Sequence, residues 1–295
     1  MDMTLLIPAA LSGLSTILLL ALLTWVVATM HRDVSVVDSM WGIYIAAAAL
    51  EYSLSLPPSD SRGNWMLLLV SVWALRLSAY ITWRNWGHGE DRRYQEIRKR
   101  NEPNFPFKSL YLVFAVQAVL AWLVSAPFLA GMESTSSLNW LDAVGIGLVM
   151  FGIVFETVGD LQMARFKADP NNTGQVMDRG LWRYTRHPNY FGECCVWWGF
   201  WLMALAGAGL SGAWTVLSPA LMTLLLLKVS GVNLLEKDIT ERRPAYRDYI
   251  ARTNAFVPGW PRRGDSMRNV ADAASQLFTD SPARTDSKTT LGKSR

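Results

Sequence analysis

Polar side chains that could hold a ligand gather in one short stretch, GLWRYTRHPNYFGE at 180–193, directly before an apolar run. Arg186 and His187 are suited to phosphate groups, because a guanidinium matches phosphate oxygens in a two-pronged geometry. Asn189 can donate to and accept from a carboxamide, and Glu193 can accept from a ribose hydroxyl or an amide. Basic residues alone are equally typical of positive charge beside a membrane-spanning helix. The added Asn189 and Glu193 favour a binding site.

Acidic side chains inside predicted membrane helices form a second group. Glu156 and Asp160 are four residues apart and therefore share one face of a helix. Ionisable residues are costly in hydrocarbon, so such acids are candidates for function and could accept hydrogen bonds from a cofactor's ribose or amide. The alternatives are an ion pair with a neighbouring helix or hydration near the membrane surface. Asp38, in VVDSMWG, is a third such acid, for which a catalytic role and a helix cap at the interface are both open.

The sequence lacks the short motifs of soluble nucleotide-binding and metal-dependent enzymes. It contains no G-x-G-x-x-G after a strand, no G-x-x-x-x-G-K-[ST], no H-E-x-x-H and no G-x-S-x-G. The three histidines are far apart, and Cys194 and Cys195 are adjacent without nearby ligands. We therefore predict no metal site. Gly145 and Gly147 lie inside a predicted span, where small residues are typical of helix packing.

The candidate polar residues lie within or beside long apolar runs, which must therefore position them. Hydrophobic residues make up 51% of the 295-residue chain and charged residues 18%, against about 25% charged in a typical soluble domain. About 20 apolar residues are enough to span a bilayer. Seven runs are long enough to be candidate spans: 4–30, 34–57, 64–83, 109–130, 140–163, 192–210 and 213–233. Composition therefore predicts an all-α integral membrane protein with about seven transmembrane helices.

The distribution of Lys and Arg predicts the orientation. The segments 84–108, 165–191 and 229–263 hold seven, five and seven of them. The alternate loops hold one or none, at 58–63, 131–139 and 210–213. Because positive residues favour the cytoplasmic side, we expect the N-terminus outside and the C-terminus in the cytoplasm.

Two regions are expected along the chain. Residues 1–260 form one membrane domain, and residues 261–295 form a polar tail that is predicted to be disordered. The segment 83–105 mixes aromatic residues with charges of both signs, which predicts a folded lip rather than a loose loop. Residues 234–261 are predicted to form a helix that breaks at Pro244, followed by a short amphipathic helix before Pro258.

Four motifs in order resemble the steroid 5α-reductase-like membrane proteins, in the branch known as a domain of unknown function. The first is the GLWRYTRHPNYFGE stretch. The others are VVDSMWG at 36–42, VWALRLSAYITWRNWGHGEDRRY at 72–94, and KVSGVNLLEKDITERRPAYRDYIARTNAFVPGWP at 228–261. The resemblance covers nearly everything except the first span and the tail.

This resemblance implies a seven-helix reductase that binds NADPH from the cytoplasmic side and acts on an enone in a steroid-like or other lipid. The cofactor's hydride goes to the β-carbon while the protein stabilises charge on the carbonyl oxygen. By position, the family's cofactor contacts fall on Asp160, Asn189 and Glu193, with a further polar contact at Glu156. Its phosphate-facing and C-terminal cofactor positions fall on Lys167, Arg242 and Arg243. Arg186 and His187 would lie near the charged end of the cofactor.

The resemblance also implies a catalytic tyrosine with a nearby acid. Tyr80, on the predicted third span, is the matching tyrosine. No glutamate stands clearly in the family's position on the second span, where the candidates are Asp38 and Glu51. We prefer Asp38, because its Trp-Gly context recurs in this branch and Glu51 is predicted to lie near the outer face.

Two other classes compete with the reductase. Isoprenylcysteine and phospholipid methyltransferases, which bind S-adenosylmethionine, also use an R-H-P-x-Y-x-G motif that RHPNYFG satisfies. A transporter or scaffold is disfavoured because no internal repeat is evident. The partners expected are a bilayer and a small lipid-like substrate, with no nucleic acid, and the chain is expected to be a monomer. The sequence leaves open a bacterial inner membrane or a membrane like the endoplasmic reticulum.

Overall fold

The structure of the chain is a computed structural model that describes residues 2–57, 61–229 and 239–262. Its longer helices are α1 (Met3–His31), α2 (Val36–Ser55), α3 (Ser61–Asn85), α4 (Arg92–Asn101), α5 (Phe105–Met132), α6 (Trp140–Ala168), α7 (Pro188–Ala208) and α8 (Leu217–Leu224). Two short helices follow, α9 (Ile239–Arg242) and α10 (Tyr246–Arg252). No strand occurs in the described ranges, so the predicted all-α class is confirmed there.

Five helical segments among the described residues are long and apolar enough to cross a membrane. They are Met3–His31, Ser61–Asn85, Phe105–Met132, Trp140–Ala168 and Pro188–Lys228. This is compatible with a multi-pass membrane protein. The predicted second span forms α2, which is not one of the five. The predicted count of seven therefore stays a prediction.

The predicted sixth span, 192–210, and residues 213–228 of the predicted seventh span, 213–233, fall within the single stretch Pro188–Lys228. A straight helix of its 41 residues would measure about 60 Å, twice the roughly 30 Å of a hydrocarbon core. The stretch is not straight, because Gly209 has φ +59 and a 3₁₀ segment, Gly209–Val216, follows α7. A positive φ suits glycine because it has no Cβ. After this change of backbone, α8 packs against α7.

Helices α6 and α7 form the closest helix pair. A Cβ placed on Gly152 would lie 2.5 Å from the carbonyl oxygen of Gly192, and one on Gly199 would lie 2.7 Å from that of Gly145. Only glycine permits this approach of the two backbones. The packing role predicted for Gly145 is thus present, whereas a Cβ on Gly147 would meet open space. This glycine seam of α6 and α7, formed by Gly145, Gly152, Gly192 and Gly199, brings the polar start of α7 against the acids of α6.

A buried ion pair fixes the other end of α6. The Arg62 guanidinium on α3 donates from Nε and Nη2 to the two carboxylate oxygens of Asp142, each at 2.8 Å. The same guanidinium donates to the carbonyls of Ser136 and Ser137 at 3.0 and 3.2 Å. Both charged side chains are buried and hydrogen-bonded, as buried charges must be. This clamp sets the position of α6 beside α3.

The C-terminal segment folds over the start of α7. The backbone N–H of Arg186 donates to the carbonyl of Asn254 at 2.9 Å, and Gly259 donates to Tyr184 at 3.0 Å. The predicted short helix before Pro258 is present as α10. Of the predicted disordered tail, residues 263–295 lie outside the described residues, as do 234–238 of the preceding predicted helix.

Candidate functional site

Arg76, on α3, lies at the centre of the candidate site. Its guanidinium forms ion pairs with both acids of α6, Glu156 and Asp160, and the Nη1–Oδ2 distance to Asp160 is 3.1 Å. The four-residue spacing places both carboxylates on the face of α6 that meets α3. The ion pair that the sequence left open as an alternative is therefore present. Cofactor contact by these acids stays a prediction.

Glu193, on α7, completes the charged group. Its two carboxylate oxygens accept hydrogen bonds from the indole N–H groups of Trp73, at 3.0 Å, and Trp197, at 2.9 Å. The two indoles meet edge to face, with ring centroids 5.2 Å apart. The charges of Glu193 and Arg76 interact as well. Arg76, Glu156, Asp160 and Glu193 together are called the charged slot below.

Three buried polar atoms at the slot have neither a hydrogen-bond nor an ion-pair partner among the described residues, whereas Nη2 of Arg76, which also lacks a hydrogen bond, is ion-paired with Glu156. The three atoms are Nε of Arg76, Oε2 of Glu156 and Oδ1 of Asn189. Asn189 stands one turn before Glu193 on α7, and its backbone lies against Gly159 of α6. An unpaired buried polar atom costs about 1–3 kcal/mol, so a ligand that pairs all three would bind favourably.

Tyr80 lies one helical turn after Arg76 on α3. Its hydroxyl donates to the backbone carbonyl of Asp160 at 3.4 Å, a long contact for an O–H donor. The Arg84 guanidinium lies 5.7 Å from the centroid of the tyrosine ring. The predicted catalytic tyrosine is therefore beside the charged slot, but Asp38 is not its partner in the structure.

Asp38 instead binds residues of α4. The Tyr94 hydroxyl donates to Oδ1 of Asp38 at 2.5 Å, and Arg93 donates to Oδ2 at 2.8 Å. Gln117, on α5, donates to the Tyr94 hydroxyl at 3.2 Å. Burial raises the pKa of the Tyr94 hydroxyl, and the negative charge of Asp38 raises it further, so the hydroxyl remains a donor. The helix-cap alternative is not realised, because Ser35 holds the N-cap position of α2.

Tyr190, on α7, lies near enough to both polar groups for its hydroxyl to be influenced by the charges of Asp38 and Arg93 and by those of Asp160 and Arg84.

Three basic side chains converge where α3 and α6 end. Lys167, in the last turn of α6, interacts with the charges of Arg84 and Arg243. These residues come from three separate parts of the chain, and Arg243 also donates to the carbonyl of Gln175 at 3.3 Å. Like charges brought together in this way suit an anion such as a phosphate. We call them the basic rim; the side chain of Arg242 lies outside what the structure describes.

Arg186 and His187 are buried at the start of α7. The Arg186 guanidinium donates to the backbone carbonyl of Thr253 at 2.6 Å and to that of Ile250 at 3.3 Å. The His187 ring stacks on Tyr190, with centroids 5.4 Å apart and an interplanar angle of 4°. These contacts hold the C-terminal segment and the first turn of α7 together. Phosphate binding by either residue stays a prediction.

Sequence reasoning missed several site residues. Arg76 interrupts the third apolar run, 64–83, and a charge within a span is itself a signal of function. Tyr94 belongs to the segment predicted as a folded lip, which forms α4, but nothing in the sequence pairs it with Asp38. Trp73 has no signal beyond its apolar context.

The charged slot does not match a metal site. In the ranges that the structure describes, no group of three or more His, Cys, Asp or Glu side chains is arranged to hold a metal ion.

Comparison with known proteins assigns the chain to a family. Residues 24–253 match the family described as "Protein of unknown function (DUF1295)", and because this match covers most of the chain, the protein belongs to that family. The matched range contains every candidate site residue. The chain is also similar to "Uncharacterized protein C594.04c" of Schizosaccharomyces pombe, at 28% identity over 298 aligned positions, covering 91% of this chain and 84% of the relative. No solved structure matches it.

Proposed function

We propose that this protein is a membrane-embedded, NADPH-dependent oxidoreductase that acts on CH–CH groups and reduces a carbon–carbon double bond, conjugated to a carbonyl, in a steroid-like or other lipid. The observation that carries the proposal is that three buried polar atoms at the charged slot lack a partner among the described residues. The resemblance to the steroid 5α-reductase-like proteins supports the reaction type.

The unfilled atoms fit a primary carboxamide such as that of nicotinamide. Nε of Arg76 requires an acceptor, which a carboxamide oxygen supplies. Oε2 of Glu156 and Oδ1 of Asn189 require donors, which the two N–H bonds of the same group supply. One donor and two acceptors are thus complementary in number to the hydrogen-bonding groups of one carboxamide.

The basic rim fits the phosphates of the same cofactor. Arg84, Lys167 and Arg243 lie near one another at the ends of α3 and α6, and Lys167 is about two turns beyond Asp160 and three beyond Glu156. Guanidinium and ammonium groups bind phosphate through charge-assisted hydrogen bonds. An NADPH molecule that extends from the slot to the rim would place its carboxamide against the donor and acceptors of the slot. Its phosphates would then lie against the cations of the rim.

When bound, NADPH supplies the hydride. The chain's own residues hold the cofactor and bind the carbonyl oxygen of the substrate, where negative charge develops. We place Tyr94 as the donor to that oxygen: in the free protein its one proton is donated to Asp38, and on substrate binding the O–H would turn from Asp38 to the substrate while the hydroxyl oxygen still accepts from Gln117. In this arrangement Tyr80 lines the slot beside Arg76, and Asp38 positions Tyr94 rather than Tyr80, the tyrosine with which the sequence paired it.

The distribution of positive charge supports a topology for this enzyme. We infer seven crossings, with α2 and the two halves of Pro188–Lys228 each crossing once, the N-terminus outside and the C-terminus in the cytoplasm. The basic rim then faces cytoplasmic NADPH. The enzyme works as a monomer in a bacterial inner membrane or a membrane like the endoplasmic reticulum, and takes its lipid from the bilayer.

One observation also favours a methyltransferase. The amino-acid end of S-adenosylmethionine carries an ammonium and a carboxylate, which are likewise a donor and an acceptor for the unfilled atoms of the slot. That cofactor has no phosphate for the basic rim. The reductase explains both features and is therefore the preferred function.

The proposal is tested by ligand binding to the purified protein in detergent. A ligand that binds only the folded state stabilises it by RT ln(1 + [L]/Kd), so above Kd the unfolding temperature rises with the logarithm of the ligand concentration. We expect such stabilisation by NADPH and none by S-adenosylmethionine at equal concentration. Stabilisation by S-adenosylmethionine alone would replace the reductase with the methyltransferase. Turnover is then measured as NADPH oxidation across enone lipids, with product mass as the readout.

A further inference from the structure

We propose that Arg186 is a positioning residue for the cofactor: it fixes the C-terminal segment, residues 243–259, and so holds Arg243 at the basic rim. Arg186 then acts on the cofactor's phosphates through Arg243 rather than by touching them. This inference rests on the proposed function. It gives Arg186 a different role from the direct phosphate contact that the sequence suggests.

The Arg186 guanidinium binds the end of α10. Its Nη1 donates to the backbone carbonyl of Thr253 at 2.6 Å and to that of Ile250 at 3.3 Å. The last carbonyls of a helix lack partners within the helix, so a cationic donor at this point stabilises the helix end. Arg186 is 7% exposed, and these hydrogen bonds offset the cost of burying its charge. The side chain therefore has structural partners in the free protein.

The backbone around Arg186 is joined to the same segment. The N–H of Arg186 donates to the carbonyl of Asn254 at 2.9 Å, and the hydroxyl of Thr185 donates to that of Phe256 at 2.7 Å. The start of α7 is itself fixed against α6 by the glycine seam. The C-terminal segment is therefore the part that these hydrogen bonds position.

A second contact joins the segment to α6. The Tyr249 hydroxyl donates to the carbonyl of Trp182, and the indole N–H of Trp182 donates to the carbonyl of Gly159 at 2.9 Å. Both hydrogen bonds are buried. Gly159 directly precedes Asp160 of the charged slot. The segment is thus attached to both helices that carry slot residues, and these attachments set its position relative to the slot.

Arg243 is the member of the basic rim that this segment carries. The N–H of Tyr246, at the start of α10, donates to the carbonyl of Arg243 at 2.9 Å. The Arg243 side chain is exposed, and its charge is repelled by that of Lys167. Arg243 therefore stays at the rim because its segment is attached. Loosening of α10 would remove this cation from the rim and leave Lys167 and Arg84 in place.

Hydrogen exchange in the protein without cofactor tests the attachment. We expect the amides of 246–259 to exchange at least about tenfold faster in Arg186→Gln than in the wild type, the scale on which losing a hydrogen bond from a charged donor favours local opening. The amides of α3 should keep their rates. Arg186→Lys retains the charge and should give an intermediate rate; it also serves if Arg186→Gln does not fold. Arg247→Gln, which removes an exposed arginine of α10, is the matched control and should exchange as the wild type does.

A double-mutant cycle tests whether Arg186 acts through Arg243. Isothermal titration calorimetry of the full-length protein in detergent measures NADPH affinity. Arg186→Gln and Arg243→Gln should each weaken binding about tenfold, the scale of one charge-assisted hydrogen bond. The double variant should also bind only about tenfold more weakly than the wild type, because residues that act together are not additive.

The outcomes separate the two proposals. Unchanged exchange in Arg186→Gln would overturn this inference and leave the reductase standing, because a residue that only contacts phosphate has no effect on the free protein. About a hundredfold loss in the double variant would also overturn it, since the two arginines would then contact the cofactor independently. An equal loss of affinity in Arg247→Gln would assign the effect to net charge and overturn it as well. No binding of NADPH to the wild-type protein would remove the proposed function and this inference with it.

Discussion

Arg76 pairs with Glu156 fourteen residues beyond the point at which Arg62 pairs with Asp142, and the spacing is the same on both helices. Fourteen residues correspond to about 21 Å of helix. Helices α3 and α6 therefore run side by side in register, with one ion pair near the start of each and one deep within both. Both carboxylate oxygens of the first pair accept hydrogen bonds from its guanidinium. In the second pair, Nε of Arg76 and Oε2 of Glu156 have no hydrogen-bond partner among the described residues. This difference separates a structural clamp from a candidate binding site.

Replacing Arg76 should destabilise the protein and abolish cofactor binding. Arg76→Leu leaves Glu156 and Asp160 buried without their counter-ion, and removing one member of a buried pair costs about 3–5 kcal/mol. Arg76→Lys retains the positive charge and should recover part of the stability. Unfolding in detergent with increasing denaturant measures the stability of both variants, and titration with NADPH measures cofactor binding. A fully stable Arg76→Leu protein would show that the acids are not charged in the folded state.

The clamp at the other end should be replaceable by apolar residues. Arg62→Leu alone should cost about 3–5 kcal/mol, because it leaves the Asp142 carboxylate buried without its partner. Adding Asp142→Leu should restore much of the loss, since a buried ion pair often gives way to packed apolar side chains at little cost. The same unfolding assay compares the single and double variants. NADPH affinity of the folded double variant should match the wild type; a large loss would assign the clamp to the site.

Asn189 should contribute to cofactor affinity without supporting the fold. Its Oδ1 lacks a hydrogen-bond partner among the described residues, so Asn189→Ala removes no contact made by that atom in the free protein. We expect NADPH affinity to fall about tenfold, the scale of one or two hydrogen bonds, with little change in unfolding temperature. Asn64→Ala, an exposed asparagine near the start of α3, is the control. Unchanged affinity in Asn189→Ala would place the carboxamide elsewhere.

The proton donor should be Tyr94 rather than Tyr80. Tyr94→Phe removes the hydroxyl held by Asp38, and loss of a positioned donor typically lowers turnover by about 10²–10⁴-fold. Tyr80→Phe removes only a long contact to a backbone carbonyl and should retain more activity. Both variants should bind NADPH normally, and turnover is measured with the enone lipid that the oxidation screen identifies. An inactive Tyr80→Phe beside an active Tyr94→Phe would return the donor role to Tyr80.

Local pattern was enough to predict much of the fold. The lengths of the apolar runs predict helices because a helix pairs its own backbone groups in a bilayer. The mixed charges and aromatics before residue 108 predict a folded lip, which is α4. The stop at Pro244 and the short helix after it also follow from local chemistry. The count of membrane crossings does not, because α2 carries Asp38 and Glu51 and is not among the five segments that are long and apolar enough to cross a membrane.

The sequence by itself determined that Glu156 and Asp160 share a helix face and that Asn189 and Glu193 begin the next long helix. Only the tertiary structure decided what these residues meet. Arg76 is 80 residues from Glu156 in the chain, and Tyr94 is 56 from Asp38. Spacing within one helix follows from its 3.6-residue period, whereas contact between helices depends on their register and separation. Here the Arg62–Asp142 clamp and the glycine seam of α6 and α7 set both, and so assemble the site.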